Sequence, residues 1–141
     1  MICKPLILAF SVIACGLFPA GSQAQTAHGP QAEAIGTWVN PSGTVKVETG
    51  HCSSNLCGWV VWAAPQAMAD AKDSGVTRLV GTQLLKNYRS IGPGRYQGQV
   101  FVPDMGRTFY STIKQSNSNS MRISGCILGG LICKSQDWRR V

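Results

Sequence analysis

The sequence has few charged residues, few histidines and no long apolar run. Of its 141 residues, 13% are charged, 2 are histidine and 6 are aspartate or glutamate. Acid–base and metal chemistry therefore have few side chains available, and no uninterrupted apolar stretch reaches the ~18 residues that span a bilayer. In contrast, 44% hydrophobic residues and 4 tryptophans are too many for a disordered chain. These features indicate one small globular domain.

The motifs of the common enzyme classes are also absent. The sequence contains no Gly-x-Ser-x-Gly, no His-Glu-x-x-His and no phosphate-binding glycine loop. His51 adjoins Cys52, but a cysteine in a disulfide has no thiolate for catalysis. We therefore expect no enzymatic activity, no catalytic residue, no cofactor and no metal site.

The N-terminus has the pattern of an export signal. Residues 1–4 carry one positive charge, residues 5–18 are uncharged and mostly apolar, and small residues precede Ala24. This pattern predicts a cleavable signal peptide over residues 1–24. The mature protein is then expected in the periplasm or outside a bacterial cell, and not as a transmembrane protein.

A lipoprotein is the alternative to simple secretion. Residues 12–15 resemble a lipobox, which would place a lipid anchor on Cys15. Residues 25–34 are polar and include glycine and proline, so they are expected to form a loose leader. A single domain is expected from residue 35 to residue 141.

Four cysteines remain after the predicted cleavage, and an even number in an oxidising compartment predicts two disulfides. Of the possible pairings, the simplest joins the cysteines that are close in sequence, Cys52 with Cys57 and Cys126 with Cys133. Zinc is the functional alternative, but structural zinc sites favour closer cysteine spacing and a reducing compartment.

After residue 34, turn residues recur at short intervals and helical periodicity is nearly absent. This pattern is typical of an antiparallel all-β domain. The one long connection, 64–81, has enough alanine and methionine for one or two helical turns. Eight strands are predicted, near 35–39, 44–49, 56–63, 83–90, 95–102, 108–115, 120–125 and 134–141.

Alternating apolar and charged side chains indicate that one face of the sheet is exposed to solvent. In residues 44–48, the valines face one way and the charged residues the other. Closing eight strands into a barrel buries the second face and removes the sheet edges, so we predict a small antiparallel eight-stranded β-barrel, with a sandwich as the alternative. The interior of such a barrel is either filled by side chains or holds one small ligand.

Alternation also predicts which side chains point inward. The inward set includes Val45, Val47 and Ile123 and is the candidate pocket, for which ordinary core packing is the alternative; its other eight members are the candidate ligand-binding residues. These residues are Trp38, Val60, Trp62, Tyr96, Val100, Phe109, Ile113 and Met121.

Several segments together resemble one bacterial family. They are 35–38, 56–62, 98–109, 124–126 and 133–141. In this order they look like the signature segments of the bacterial domain of unknown function 2147 family, and the resemblance covers residues 35–141. It implies a secreted or periplasmic protein with a lipocalin-like β-barrel and no established activity.

The first predicted strand is similar to the opening strand of lipocalins. Gly36 and Trp38 form a Gly-x-Trp motif, in which the tryptophan plugs the barrel base and a basic residue of the last strand covers its ring. Arg140 is the candidate for that cover, and an arginine over an indole contributes ~1 kcal/mol. These roles are structural ones.

Two functions remain compatible with the sequence. The first is binding of a small apolar or amphipathic molecule inside the barrel. The second is an envelope structural or interaction protein with a filled barrel, whose basic residues contact an anionic envelope lipid or polymer, because the net charge is +7 and is spread along the chain. An exported protein is not expected to bind nucleic acid.

Overall fold

The computed structural model describes residues 34–141, which form a closed barrel of eight antiparallel strands in sequence order. The strands are β1 Gly36–Val39, β2 Val45–Cys52, β3 Asn55–Ala63, β4 Gln83–Gly92, β5 Arg95–Val102, β6 Arg107–Asn117, β7 Ser120–Ile127 and β8 Ile132–Arg140. The predicted all-β barrel is confirmed, and the alternative of a sandwich is wrong. The predicted signal peptide and the leader up to residue 33 lie outside the described residues.

One helix, α1 Pro65–Asp73, lies in the connection between β3 and β4, where the sequence predicts one or two helical turns. Pro65 suits the first turn because its ring presets the helical φ angle and its missing N–H needs no partner there. Ala71 is the buried residue of this helix. No helix within residues 34–141 has the length and apolar character to cross a membrane.

The barrel is closed at one end by Arg140, which lies over Trp38. The guanidinium carbon is 4.3 Å from the ring centroid, and Nη1 donates a hydrogen bond of 2.8 Å to the carbonyl of Ile35. Gly36 has φ of +150°, and a Cβ there would lie 2.1 Å from Arg140 Nη1. The contact agrees with the predicted role of Arg140 and explains why the position beside it is glycine.

The half of the barrel next to this closed end is packed with large side chains. Its wholly buried hydrophobic residues are Trp38, Val47, Leu56, Val60, Leu85, Tyr88, Tyr96, Ile113 and Met121. The hydroxyls of Tyr88 and Ser111 are both buried in this core, and neither forms a hydrogen bond of good geometry. Burial raises the pKa of Tyr88 above its ordinary value, while the Ser111 hydroxyl acts in the opposite direction.

A β-bulge in β3 reverses the alternation that the sequence suggests. Val47 pairs with Val60 and Lys46 with Trp62, so Val61 is an extra residue in β3. Trp62 is therefore 43% exposed on the outer wall, with Lys46 Nζ 5.3 Å from its ring centroid. The prediction that Trp62 lies inside the barrel is wrong.

Two disulfides close hairpins at opposite ends of the barrel. Cys52–Cys57 links β2 to β3 at the closed end, and Cys126–Cys133 links β7 to β8 at the other end. Both predicted pairings are confirmed. Each pair closes a short loop, which in the chain-entropy model contributes about 2 kcal/mol.

Candidate functional site

A cavity of about 660 Å³ opens at the end of the barrel opposite the Arg140–Trp38 contact. This volume lies within the range of about 300–1,000 Å³ that is usual for small-molecule sites. The apolar side chains that line its depth are Leu79, Leu84, Val100, Phe109, Ile123 and Trp138.

One inward-facing row of the barrel wall consists of small residues, and only one end of this row borders the cavity. Gly98 pairs with Ser111, and Ser111 pairs with Gly125, across β5, β6 and β7. The space at Gly98 is filled by the ring of Tyr88, since a Cβ on Gly98 would lie 2.7 Å from Tyr88 Cγ. At Gly125 the nearest side-chain atom to such a Cβ is Val100 Cγ1 at 3.5 Å, an ordinary contact. A Cβ at Gly125 therefore fits without displacing its neighbours, and Gly125 belongs to the cavity wall.

Two members of the predicted ligand-binding set line the cavity. Val100 and Phe109 are half-buried partners in the register of β5 and β6. The others lie elsewhere: Trp38, Val60, Tyr96, Ile113 and Met121 are at most 1% exposed in the packed half, and Trp62 lies outside the barrel. A ligand-binding role remains a prediction for Val100 and Phe109.

Several cavity residues were not predicted from the sequence. Trp138 lies two residues before Arg140 on β8, so the two side chains share the inward face of that strand. The signal that could have located Trp138 is therefore the alternation that places Arg140 inside. Its indole N–H donates a hydrogen bond of 3.1 Å to the Gln136 side chain. Leu79 belongs to the loop before β4, where no periodic pattern exists to locate it.

One half of the cavity rim is polar. Asn40 in the β1–β2 turn donates a hydrogen bond of 2.9 Å to the Thr44 hydroxyl and accepts one of 2.8 Å from the Thr44 N–H. Gln66 in α1 donates a hydrogen bond of 2.7 Å to Asp70. These groups lie where the cavity meets water and present amide, hydroxyl and carboxylate atoms to an entering molecule.

The other half of the rim is largely apolar. It contains Met105 in the β5–β6 turn and Ile127 and Ile132 at the ends of β7 and β8, all of which are exposed. Asp104 and Lys134 are the charged residues beside them at the cavity rim. This side of the rim therefore offers a hydrocarbon group a mostly apolar entrance.

The arrangement is suited to binding by burial and hydrogen bonds. Within residues 34–141, no three histidine, cysteine, aspartate or glutamate side chains come together in a way that could hold a metal ion. Apolar walls favour a hydrocarbon group, and the rim offers partners to a polar group.

Comparison with known proteins agrees with this architecture. The model of a family described as "Uncharacterized protein conserved in bacteria (DUF2147)" matches residues 36–140. The chain belongs to this family. The resemblance found in the sequence is thus confirmed. The family description assigns no activity.

A solved structure shares the fold. It is described as protein HP1028 from the human pathogen Helicobacter pylori, which belongs to the lipocalin family. The TM-score is 0.58 with 16% sequence identity, over 76% of this chain and 82% of that one. At this identity the similarity concerns the fold, which is lipocalin-like. No curated protein matches the chain.

Proposed function

We propose that the barrel binds one small apolar or amphipathic molecule in the cavity and does not catalyse a reaction. The observation that carries the proposal is the cavity of about 660 Å³, apolar in its depth and open at one end. Eight-stranded barrels have an interior of the size that holds one small ligand. Removing hydrocarbon from water contributes ~0.8 kcal/mol per buried CH₂ group, so even a short chain would gain useful affinity.

The ligand is oriented by the contrast between depth and rim. Its apolar part contacts Phe109 and Trp138, and its polar part stays at the rim near Asn40, Gln66 and Lys134. This orientation leaves the polar group partly in water, so no charge has to be buried without a partner.

The proposed location is the periplasm or the outside of a bacterial cell. Two disulfides support an oxidising compartment. The signal-peptide pattern of residues 1–24 supports export, with a lipid anchor at Cys15 as the alternative.

Filling the cavity tests the proposed function. Gly125→Leu places a side chain in the cavity from a position whose Cβ has room. We expect it to weaken binding of the fluorescent probe N-phenyl-1-naphthylamine by at least about tenfold, because the probe and the new side chain compete for the same volume. A fluorescence titration of the protein with the probe measures this change.

Ser124→Leu is the matched control. It adds the same side chain one residue earlier in β7, where the Ser124 hydroxyl contacts that of Ser135 on the outer wall at 2.6 Å. We expect its probe affinity to remain within about twofold of the native value. Equal weakening by both variants, or unchanged binding by a folded Gly125→Leu protein, would contradict the proposal.

A second candidate function is supported by basic residues on the outer wall. Arg95 pairs with Lys114, and Lys114 pairs with Arg122, in adjacent strands. Like charges in directly paired positions destabilise a sheet. Arg122 is bonded to Asp137 at 2.8 Å, which raises the pKa of Arg122 and lowers that of Asp137. This row of cations suits an anionic envelope lipid or polymer.

Chromatography tests this second candidate. Arg95→Gln/Lys114→Gln is expected to elute from phosphocellulose at a clearly lower NaCl concentration than the native protein, because the contact is electrostatic and screened by salt. Lys72→Gln/Arg78→Gln, which removes the same charge from the α1 region, is the control. If both variants elute together, net charge rather than the cation row determines retention.

A further inference from the structure

The turn between β7 and β8 forms an exposed apolar tip, residues 127–132. Ile127 and Ile132 face each other in the register, directly above the Cys126–Cys133 disulfide. Ile127, Leu128, Leu131 and Ile132 are 47%, 67%, 85% and 55% exposed. The remaining two residues are glycines, so the apolar tip carries neither a charge nor a polar side chain.

The backbone of the apolar tip holds these side chains away from the barrel. Gly129 and Gly130 have φ of 65° and 92°, and Leu128 has φ of 54°. Leucine rarely adopts this left-handed conformation. Leu128 nevertheless adopts it, and its side chain is exposed to solvent. The Cys126–Cys133 disulfide joins β7 and β8 next to the apolar tip. Contiguous exposed apolar side chains of this kind mark an interaction site.

The apolar tip is continuous with the mouth of the cavity. Ile127 and Ile132 belong both to the apolar tip and to the cavity rim. Met105 in the neighbouring β5–β6 turn, 55% exposed, extends the same apolar surface along the rim. Whatever covers the apolar tip therefore also lies against the cavity mouth.

Size and shape favour a lipid surface over a protein partner. A stable protein interface uses about 20–30 residues on each side, whereas the apolar tip has six. It is a convex turn at the end of a hairpin. Insertion into a bilayer needs apolar area but no complementary groove, so a small convex tip is sufficient.

Charge beside the apolar tip favours an anionic lipid surface. Lys134 follows it on β8, and Arg107 begins the neighbouring strand β6 at the same end of the barrel. Asp104 in the β5–β6 turn offsets one of these charges. The end of α1 contacts this turn through Ser74, and its Lys72 and Asp73 cancel, so this side of the mouth keeps a net positive charge. Cations that flank an inserted apolar segment are attracted to anionic headgroups.

We propose that the apolar tip inserts into an anionic phospholipid bilayer and brings the cavity mouth to the membrane surface. The biological role of this insertion rests on the proposed function, because the membrane would be the source or the destination of the molecule bound in the cavity. The ligand class is then narrowed to amphipathic molecules that partition into lipid. The insertion itself does not depend on the cavity being occupied.

Vesicle binding tests the insertion. The processed, exported protein is mixed with sedimentable vesicles of phosphatidylglycerol and phosphatidylethanolamine, or of phosphatidylcholine. We expect binding to the anionic vesicles, and a reduction of at least about tenfold in Leu128→Asn/Leu131→Asn, which removes apolar area without adding charge. Asparagine tolerates the left-handed backbone at position 128, so this variant is compatible with the fold.

Val80→Asn/Ile91→Asn is the matched control for exposed apolar area. These side chains are 41% and 39% exposed and lie outside the cavity lining. We expect this variant to bind vesicles like the native protein. Equal vesicle binding by a folded variant of the apolar tip would overturn the proposal. So would a native dimer that the apolar-tip variant converts to monomer, because the apolar tip would then bind a second copy of the chain.

Crossed measurements separate this proposal from the proposed function. With N-phenyl-1-naphthylamine in the absence of vesicles, Leu128→Asn/Leu131→Asn is expected to retain probe binding, and Gly125→Leu to lose it. With vesicles and no probe, Leu128→Asn/Leu131→Asn is expected to lose vesicle binding, and Gly125→Leu is expected to retain it. Failure of the probe measurement alone contradicts the cavity ligand, and failure of the vesicle measurement alone contradicts membrane insertion.

Discussion

The two ends of the barrel are built differently. At the closed end, aromatic and aliphatic side chains fill the interior, and Arg140 covers Trp38 with its guanidinium 4.3 Å from the ring centroid. At the open end, the walls leave a cavity of about 660 Å³ and expose apolar side chains to solvent. The same eight strands run through both ends, so the difference comes from side-chain size and not from topology.

The packed closed end contributes mainly to stability, and the open end holds the cavity of the proposed binding site. Close packing at one end supplies the dispersion contacts and apolar burial that hold the barrel together. The open end gives up part of that packing where Gly125 stands in the inward row. If the barrel binds a ligand as proposed, substitutions at the open end alter the binding without removing the core.

The largest expected effect comes from truncating the closed end. Trp38→Ala should lower the free energy of unfolding by about 3–5 kcal/mol, because it removes a wholly buried side chain and leaves the Arg140 guanidinium without its ring. Phe109→Ala at the cavity wall should cost clearly less, because its ring already borders open space. Urea unfolding measures both values.

Probe titration completes the comparison between these two variants. Phe109→Ala should change the affinity for N-phenyl-1-naphthylamine, while the fraction of Trp38→Ala that remains folded should bind normally. Similar losses of stability in the two variants would show that the cavity half also carries the fold, and the separation of stability from binding would then be wrong.

Alkaline pH should destabilise the folded protein through Tyr88, which lies in the packed half. Burial raises the pKa of Tyr88 in the folded protein above the value of about 10 expected in the unfolded chain. Its contribution is therefore fully present below about pH 10 and is lost as the pH rises towards the folded value, by up to ~1.4 kcal/mol per pH unit.

Tyr88→Phe removes this contribution. The variant should match the native stability within ~1 kcal/mol at pH 8, and should lose less stability than the native protein between pH 9 and pH 11. Urea unfolding at several pH values measures the difference. Parallel pH profiles for the two proteins would mean that the Tyr88 hydroxyl reaches water in the folded state.

The smallest effect is expected on the outer wall. Trp62→Ala should reduce stability by no more than about 1 kcal/mol, chiefly through loss of the contact with Lys46. Its probe affinity should stay within about twofold of the native value, since Trp62 lies outside the barrel. A large loss of probe binding in this variant would place the ligand on the outer wall and contradict the cavity site.

The strands could be predicted because turn residues mark their ends to within a few residues. The plug at Trp38 and its Arg140 cover were predicted from the resemblance of the first strand to the opening strand of lipocalins. Disulfide pairing follows from the short spacing of Cys52 and Cys57 and of Cys126 and Cys133. Each of these features depends on residues that are adjacent in sequence or directly paired.

The cavity was harder to predict because it depends on features without a local signal. The bulge at Val61 moves Trp62 outward, and nothing in the alternation marks the extra residue. Side-chain alternation identifies an inward residue but not whether neighbouring strands fill the space before it. Tyr96 and Phe109 both point inward, yet one is wholly buried and the other lines an opening.

The seam between β1 and β8 has a consequence for how the barrel folds. Every other strand pairing joins neighbours in sequence across a short turn or the α1 connection, whereas this seam joins the two ends of the domain through Trp38–Arg140 and Val39–Arg139. Contacts between distant parts of a chain are slow to form because the intervening loop must first be closed. Hairpins made early would therefore remain an open, curling sheet with two unpaired edges. Until Arg139 and Arg140 pair with β1, the partly folded chain exposes both edges to pairing with other chains.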